Sequence, residues 1–308
     1  MYATIQVDLD SLWTYDRYLY QKINNYPVDP VYSQSLQSFL DLFAKYKLKA
    51  TFFIIGKDVQ NPKQSKYIKM IIEQGHEIAN HSMNHLSDFA ALSLEQIREE
   101  IILAHNLIKS VINKDPVGFR APMFSINQPV IRVLEDLGYK YDASLMPSAI
   151  FPLMMNTAHS LLKLKPVNLK CGNIRWGDAP RGIYHPDKQN MAKPGAMEIK
   201  EVPVSVSNFA RFPMHSTYVF VFGKFLFDSG FNYALKNKIT LHYLFHGIDL
   251  LNIEQYSLKL PGFKTLTKRQ KICEQIVKKL AENSQVVTTE NLIAIGKETH
   301  GIHPASGI

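Results

Sequence analysis

The first 144 residues alternate short apolar runs with segments of helical spacing, and this alternation constrains the fold more than any other feature. Residues 3–10, 49–56, 76–81, 117–122 and 139–144 read as strands, each short and bounded by Gly or polar residues. Between them, residues 33–47, 63–74, 94–113 and 128–137 read as helices. In 33–47, for example, the apolar positions Leu36, Phe39, Leu40, Leu42, Phe43 and Tyr46 mark one face. Ser93 and Asn127 are placed to cap the last two helices, and Gly138 to end the fourth. Strand and helix joined by short connections specify parallel strands with right-handed crossovers. The expected fold is α/β, a (β/α) barrel. Residues 11–32 carry Trp13, Tyr15, Tyr18, Tyr20, Tyr26 and Tyr32 and read as a long aromatic connection, a kind that is usually functional.

The second half is less regular. Residues 145–197 contain Pro147, Pro152, Pro166, Pro180, Pro186 and Pro194 and read as an irregular insertion over the barrel rim. A strand is expected at 197–206, an aromatic helix at 218–237 and a strand at 239–246. A helix with a basic face should follow at 266–282, then a strand at 285–288 and a helix at 290–296. The expected organisation is one domain over 1–297 and a loose tail over 298–308.

Polar residues recur where the strands end: Asp8, Asp10, His81, Arg120, Asp142 and His246. In a (β/α) barrel that rim carries the active site. His81 and His85 are four residues apart, a spacing that puts both imidazoles on one face of a helical turn. Alone, such a pair is more often a cap and a surface residue. Asp10, at a different strand end, changes the weighing: two His and one Asp with an open position form the donor set of a hydrolytic metal site. Asp8 lies two residues before Asp10, on the same strand face. One carboxylate can therefore bind metal while the other acts as base. Arg120 is the expected partner of Asp8, favouring its ionised form and fixing its direction. His246 is the expected general acid, with Asp142 or Asp249 to raise its pKa. His242 competes for that role, but His246 is nearer the rim. His215 either touches substrate or serves its loop, and His76, early in its strand, reads as structural.

These residues resemble, in order, the motifs of the polysaccharide deacetylases of carbohydrate esterase family four, the group with the chitooligosaccharide-deacetylase (NodB) homology domain. Val7-Asp8-Leu9-Asp10 resembles the first motif in an Asp-x-Asp form. His81-Ser82-Met83-Asn84-His85 is similar to the His-Ser/Thr-x-x-His motif, and Phe119-Arg120-Ala121-Pro122 to the Arg-x-Pro motif. Tyr141-Asp142-Ala143-Ser144 and Leu244-Phe245-His246 resemble the fourth and fifth. Two departures stand out: the adjacent Asp-Asp pair is absent, and Gly247 follows His246. The resemblance covers residues 3–250. It implies a distorted or incomplete (β/α) barrel and a metal-dependent N-deacetylase of aminosugars. Asp10, His81 and His85 would hold one divalent ion, with Zn the default and Co, Ni or Mn alternatives. Asp8, Arg120, Asp142 and His246 would be the catalytic residues.

Met1 leads straight into a strand-like run, without a basic and apolar leader. Cys171 and Cys273 are the only cysteines, and no apolar stretch reaches about 18 residues. These features give a cytoplasmic expectation, and with it a cytoplasmic aminosugar substrate. A polyprenyl-phosphate-linked sugar fits, with peripheral membrane contact through the apolar segments 149–166 and 216–227. The net charge of +8 favours anionic partners, but the Lys residues are mostly scattered and no nucleic-acid motif accompanies them, so no nucleic-acid partner is expected. Two other readings stay open: a deformylase of a lipid-linked formamido sugar, and a non-catalytic sugar- or metal-binding barrel.

Overall fold

A computed structural model describes residues 1–161, 172–260 and 262–295. The expected tail at 298–308, the last residues of the expected domain and residues 162–171 of the expected insertion lie outside the described residues.

Eight strands form one parallel sheet: β1 (Tyr2–Asp8), β2 (Thr51–Ile54), β3 (Glu77–Asn80), β4 (Gly118–Phe119), β5 (Tyr141–Asp142), β6 (Lys200–Glu201), β7 (Leu241–His246) and β8 (Gln285–Val286). The order is β6-β5-β4-β3-β2-β1-β7. β8 pairs with the first residues of β1, and β2 with its last. The helices are α1 (Leu12–Tyr20), α2 (Leu36–Lys45), α3 (Gly56–Val59), α4 (Pro62–Glu73), α5 (Leu94–Ile112), α6 (Gln128–Asp136), α7 (Phe151–Leu161), α8 (Ser216–Phe222), α9 (Phe225–Asn237), α10 (Leu266–Asn283) and α11 (Thr289–Ala294). This is the α/β, distorted and incomplete barrel expected from the motifs. β6 and β7 do not pair as strands. The chain from 202 to 206 spans the gap instead: Val204 N–H bonds to Leu145 C=O (3.0 Å), and Ser205 N–H to His242 C=O (3.2 Å). The strand expected at 197–206 is thereby cut to two residues, since Pro203 has no N–H to continue a ladder.

Strand alternation sorts the side chains into two layers. Ala3, Ile5 and Val7 of β1, Phe52 and Ile54 of β2, and Tyr243 and Phe245 of β7 face the main core, against Phe39, Phe43, Ile276 and Leu280 of the outer helices. The opposite face holds a small inner core of Phe53, Ala79, Tyr141, Ala143 and Val202. Below it, α11 closes the N-terminal end of the sheet. Thr51 Oγ1 and Tyr141 Oη each donate to Glu77 (2.7 Å), as does Glu290 N–H (2.9 Å). Burial pushes the Glu77 carboxyl up, and those three donors partly offset it.

Local signals account for the helix starts. Ser93 and Gln96 form a reciprocal capping box at α5, and Asn127 accepts Val130 N–H at α6 (3.1 Å). Three readings need correction. The aromatic connection at 11–32 contains α1, whose Leu12, Tyr15 and Leu19 already had helical spacing. The expected helix at 218–237 is two helices, parted at Gly223, whose φ of 114° ends α8. The insertion at 145–197 is not irregular throughout, because it includes α7 and a 3-10 turn at Ile174–Asp178.

Gly118 is required where β4 meets β5. A Cβ there would stand 2.0 Å from Tyr141 Cζ. Gly118→Ala should displace that ring from Glu77 and destabilise the protein by about 1–3 kcal/mol in urea unfolding. A midpoint equal to wild type would show that the ring has room to move.

Candidate metal centre

β1 runs into Leu9-Asp10, and β3 into His81, so both side chains arrive at the same rim. His81 extends the inward series Glu77, Ala79. His85 reaches the site differently from the sequence expectation. Residues 81–85 form no helical turn; Ser82 (φ 62°) and His85 (φ 50°) instead take left-handed backbone. Non-glycine residues adopt this at a cost of about 1–2 kcal/mol each, so the loop must be held. Asn80 Oδ1 accepts Ser82 N–H (2.8 Å), Ser82 Oγ accepts His85 N–H (3.1 Å), and Glu100 takes both Asn84 N–H (2.9 Å) and its side-chain amide (2.6 Å). From α1, Arg17 donates to the carbonyls of Asn84 (2.9 Å) and His85.

Asp10 Oδ1 lies 3.2 Å from His81 Nε2 and 3.3 Å from His85 Nε2, and the three donor atoms are mutually within 4.8 Å. All three residues are buried. Among the described residues, Asp10 Oδ1 has no hydrogen-bond donor in line. Burial opposes charge on Asp10, but His85 and His81 outweigh it and hold the carboxyl well below the usual range. His81 Nδ1 sits 2.8 Å from the Arg120 carbonyl, a contact that assigns the N–H to Nδ1 and leaves the Nε2 lone pair facing Asp10. Two imidazole nitrogens and a carboxylate oxygen converging on one point, with the oxygen otherwise unsatisfied, fit one divalent cation.

Asp8 stands beside this triad. Arg120 is fully buried; it donates NH1 to Asp8 Oδ1 (2.7 Å), NH2 to Gln6 Oε1 and Nε to Ala143 C=O (2.7 Å). In the β1–β7 register Asp8 is the direct partner of His246. Gly247 explains why the chain can turn here: a Cβ on it would lie 3.1 Å from Asp10 C=O and 2.6 Å from Val31 Cγ1. His246 Nδ1 is 3.2 Å from Ser216 Oγ, and Asp249 Oδ2 accepts His246 N–H (2.8 Å).

The structure thus brings Asp8, Asp10, His81, His85, Arg120 and His246 to one rim. Asp142 sits apart from His246. It accepts the Ser144 hydroxyl (2.6 Å) and N–H (3.1 Å), and its register partner on β6 is Glu201. The carboxylate adjoining His246 is Asp249. His242 is fully buried, with Nδ1 on Thr4 Oγ1 (2.9 Å), and burial lowers it to about 3. It faces the barrel interior below the rim. His76 accepts Ala50 N–H (3.0 Å), a structural bond. Sequence reasoning missed Arg17 and Ser216. The helical spacing of 12–20 carried a signal for the first; nothing local marks the second.

A buried acidic layer backs Asp10. Asp58 accepts Ser11 Oγ (2.6 Å) and Trp13 Nε1 (2.8 Å), and burial raises it to about 6. Asp29 caps α1 through Leu12 N–H (3.0 Å) and also takes Val31 N–H (2.9 Å). Burial and the Asp58 charge raise it to about 7.

Residues 19–141 match the polysaccharide deacetylase family. The chain is similar to the peptidoglycan-N-acetylglucosamine deacetylase of Bacillus cereus, 38% identical over 112 residues, 36% of this chain and 49% of that protein. It is also similar to the peptidoglycan deacetylase of Helicobacter pylori, 32% identical over 125 residues, 41% of this chain and 42% of that protein. It spans just under half the length of these curated relatives. Among solved structures, a polysaccharide deacetylase candidate from Mycobacterium smegmatis superposes with a TM-score of 0.58 over 99% of this chain and 94% of that one, at 16% identity. That likeness concerns the fold.

Two outcomes follow from this geometry. Gly247→Ala pushes on the Asp10 backbone, so the variant should bind added Zn at least about tenfold more weakly by calorimetry; unchanged affinity would mean that the turn relaxes freely. Asp29 has a folded pKa of about 7 against about 4 unfolded, so it takes up a proton on folding between those values. Its contribution to stability is greatest below pH 4 and falls as pH rises to 7. Asp29→Asn should remove that decline, gaining on the order of 4 kcal/mol on wild type between pH 4 and 8 in urea unfolding. Parallel pH curves would contradict it.

Proposed function

We propose that this protein is a metal-dependent hydrolase that removes an N-acyl group, acetyl by preference, from an aminosugar of a glycan or glycan precursor. One observation carries the reading: a free carboxylate, Asp8, is clamped by Arg120 beside the Asp10–His81–His85 donor set, with His246 its neighbour across the sheet. A simple metal binder has no use for that clamped second carboxylate. The peptidoglycan deacetylase relatives support the sugar class.

A divalent cation, Zn by default and otherwise Co, Ni or Mn, supplies Lewis acidity toward the amide carbonyl when bound. Asp8 then takes the proton of the attacking water, and Arg120 keeps its carboxylate pointed at the reacting group. His246 gives a proton to the departing amine, with Ser216 and Asp249 fixing the ring and its backbone. Asp142, with Ser144 and Glu201, braces residues 143–145, whose carbonyl holds Arg120 Nε.

The finer reading is a polyprenyl-phosphate-linked sugar taken at the cytoplasmic face of a membrane. It is supported by a row of exposed apolar side chains within residues 209–225: Phe209 (82%), Phe225 (63%) and Phe222 (49%). Val219, Phe220, Leu226 and Phe227 of the 216–227 segment pack in the core, whereas Val221 is exposed. Among the described residues no helix is long and apolar enough to cross a membrane, so contact through this row would be peripheral.

Asp8→Asn should lower turnover of an N-acetylglucosamine oligomer by about 10²–10⁴-fold and leave metal content unchanged. His81→Ala and His85→Ala should lose the metal, measured by elemental analysis. Full metal retention in both would reject the centre, and an Asp8→Asn protein as active as wild type would reject the base. Release of formate from an N-formyl aminosugar, with no acetate released from the N-acetylglucosamine oligomer, would assign the deformylase chemistry. Failure to sediment with anionic vesicles at low salt would remove the lipid-linked reading.

A further inference from the structure

His215 opens α8 and takes no part in the chemistry described so far. Its backbone carbonyl accepts Tyr218 N–H (3.1 Å) and Val219 N–H (3.2 Å), so the start of the helix fixes where the ring stands. The side chain is 5% exposed, as buried as the metal ligands, and neither ring nitrogen has a hydrogen-bond partner among the described residues. A buried polar group left in this state is costly, and a pair of them in one ring marks a place where a partner is expected to arrive.

The surroundings define that partner. The ring centroid is 5.2 Å from His246, 4.7 Å from Tyr218 and 5.9 Å from Phe124. Burial foremost, then the basic groups His246 and Arg120, keep the imidazole neutral; the other titratable group against it among the described residues is the Tyr218 phenol. A neutral ring offers an anionic ligand no countercharge. A hydroxyl suits it in either tautomer, because a hydroxyl donates to a bare nitrogen and accepts from a protonated one. The Tyr218 and Phe124 rings add apolar surface for the C–H faces of a pyranose.

We propose that His215 is a specificity-determining residue that binds a hydroxyl of the same sugar ring that carries the amide, on the carbon next to the amide-bearing one. The assignment rests on the deacetylase reading above, which places the departing nitrogen at His246, one ring's contact away. It implies a preference for a neutral hydroxyl at that position over an ether or a charged substituent.

The test compares an N-acetylglucosamine oligomer with an analogue deoxygenated at the neighbouring ring carbon. Wild type should favour the hydroxylated substrate by about tenfold to a hundredfold in kcat/KM, and His215→Phe should bring that ratio close to one at unchanged metal content. A ratio that stays the same in His215→Phe, or a wild type indifferent to the hydroxyl, overturns the assignment. The second arm needs no turnover. In Asp8→Asn protein, the ¹⁵N resonances of the His215 imidazole should move on adding the oligomer and stay in place with the deoxy analogue. Equal shifts with both, or none with either, overturn it. A wild type that hydrolyses neither compound refutes the deacetylase reading, while the resonances of His215 still decide whether the hydroxyl binds there.

Discussion

One buried guanidinium ties the rim together. Arg120 has no exposed surface, and its three donor directions go to three segments: Asp8 and Gln6 on β1, and Ala143 after β5. Its carbonyl receives the N–H of His81, and its plane lies over the Phe53 ring at 4.3 Å. A cation taken out of water is strongly unfavourable unless its hydrogen bonds and charge are met, so the arrangement around it is nearly all-or-none. Losing any one partner leaves a buried charge underserved. The same residue thus fixes the direction of the proposed base and the tautomer of a metal ligand, coupling the two halves of the site through a single side chain.

The acidic side of the ledger is unusually well hidden. Asp10, Asp29, Asp58, Asp142, Glu201 and Asp249 are all buried. Burial raises Asp29, Asp58, Asp142, Glu201 and Asp249, and only Asp10 is held low, because two imidazoles face it. Burial thus works against charge on the five surrounding carboxyls, while at Asp10 the two imidazoles favour it. Asp142 and Glu201 are register partners across β5 and β6, and burial pushes both carboxyls up.

Much of the barrel was legible because its signals are local. The strand ends at Asp8, His81 and His246 follow from apolar runs closed by polar residues, and Ser93 and Asn127 cap the helices they were expected to cap. Spacing misled at His85: four residues from His81 suggested a helical turn, whereas two left-handed residues make the approach. Backbone of that kind in Ser and His has no sequence signature, since it is imposed by Asn80, Glu100 and Arg17 from elsewhere. For the carboxylate beside His246 the residues left Asp142 and Asp249 open, and the structure seats Asp249 there. Strand order places Asp142 against β6, and the turn after β7 supplies Asp249 three residues on. Such pairings depend on which strands adjoin, and periodicity alone does not give that order.

The left-handed loop at 82–85 has a consequence for how the centre is made. Its conformation is secured by six hydrogen bonds from protein groups alone, counting those of Asn80, Ser82, Glu100 and Arg17. An ion bound there would meet ligands already held by the protein's own hydrogen bonds, and because only the folded chain gathers Asp10, His81 and His85, its occupancy would add directly to the stability of the barrel.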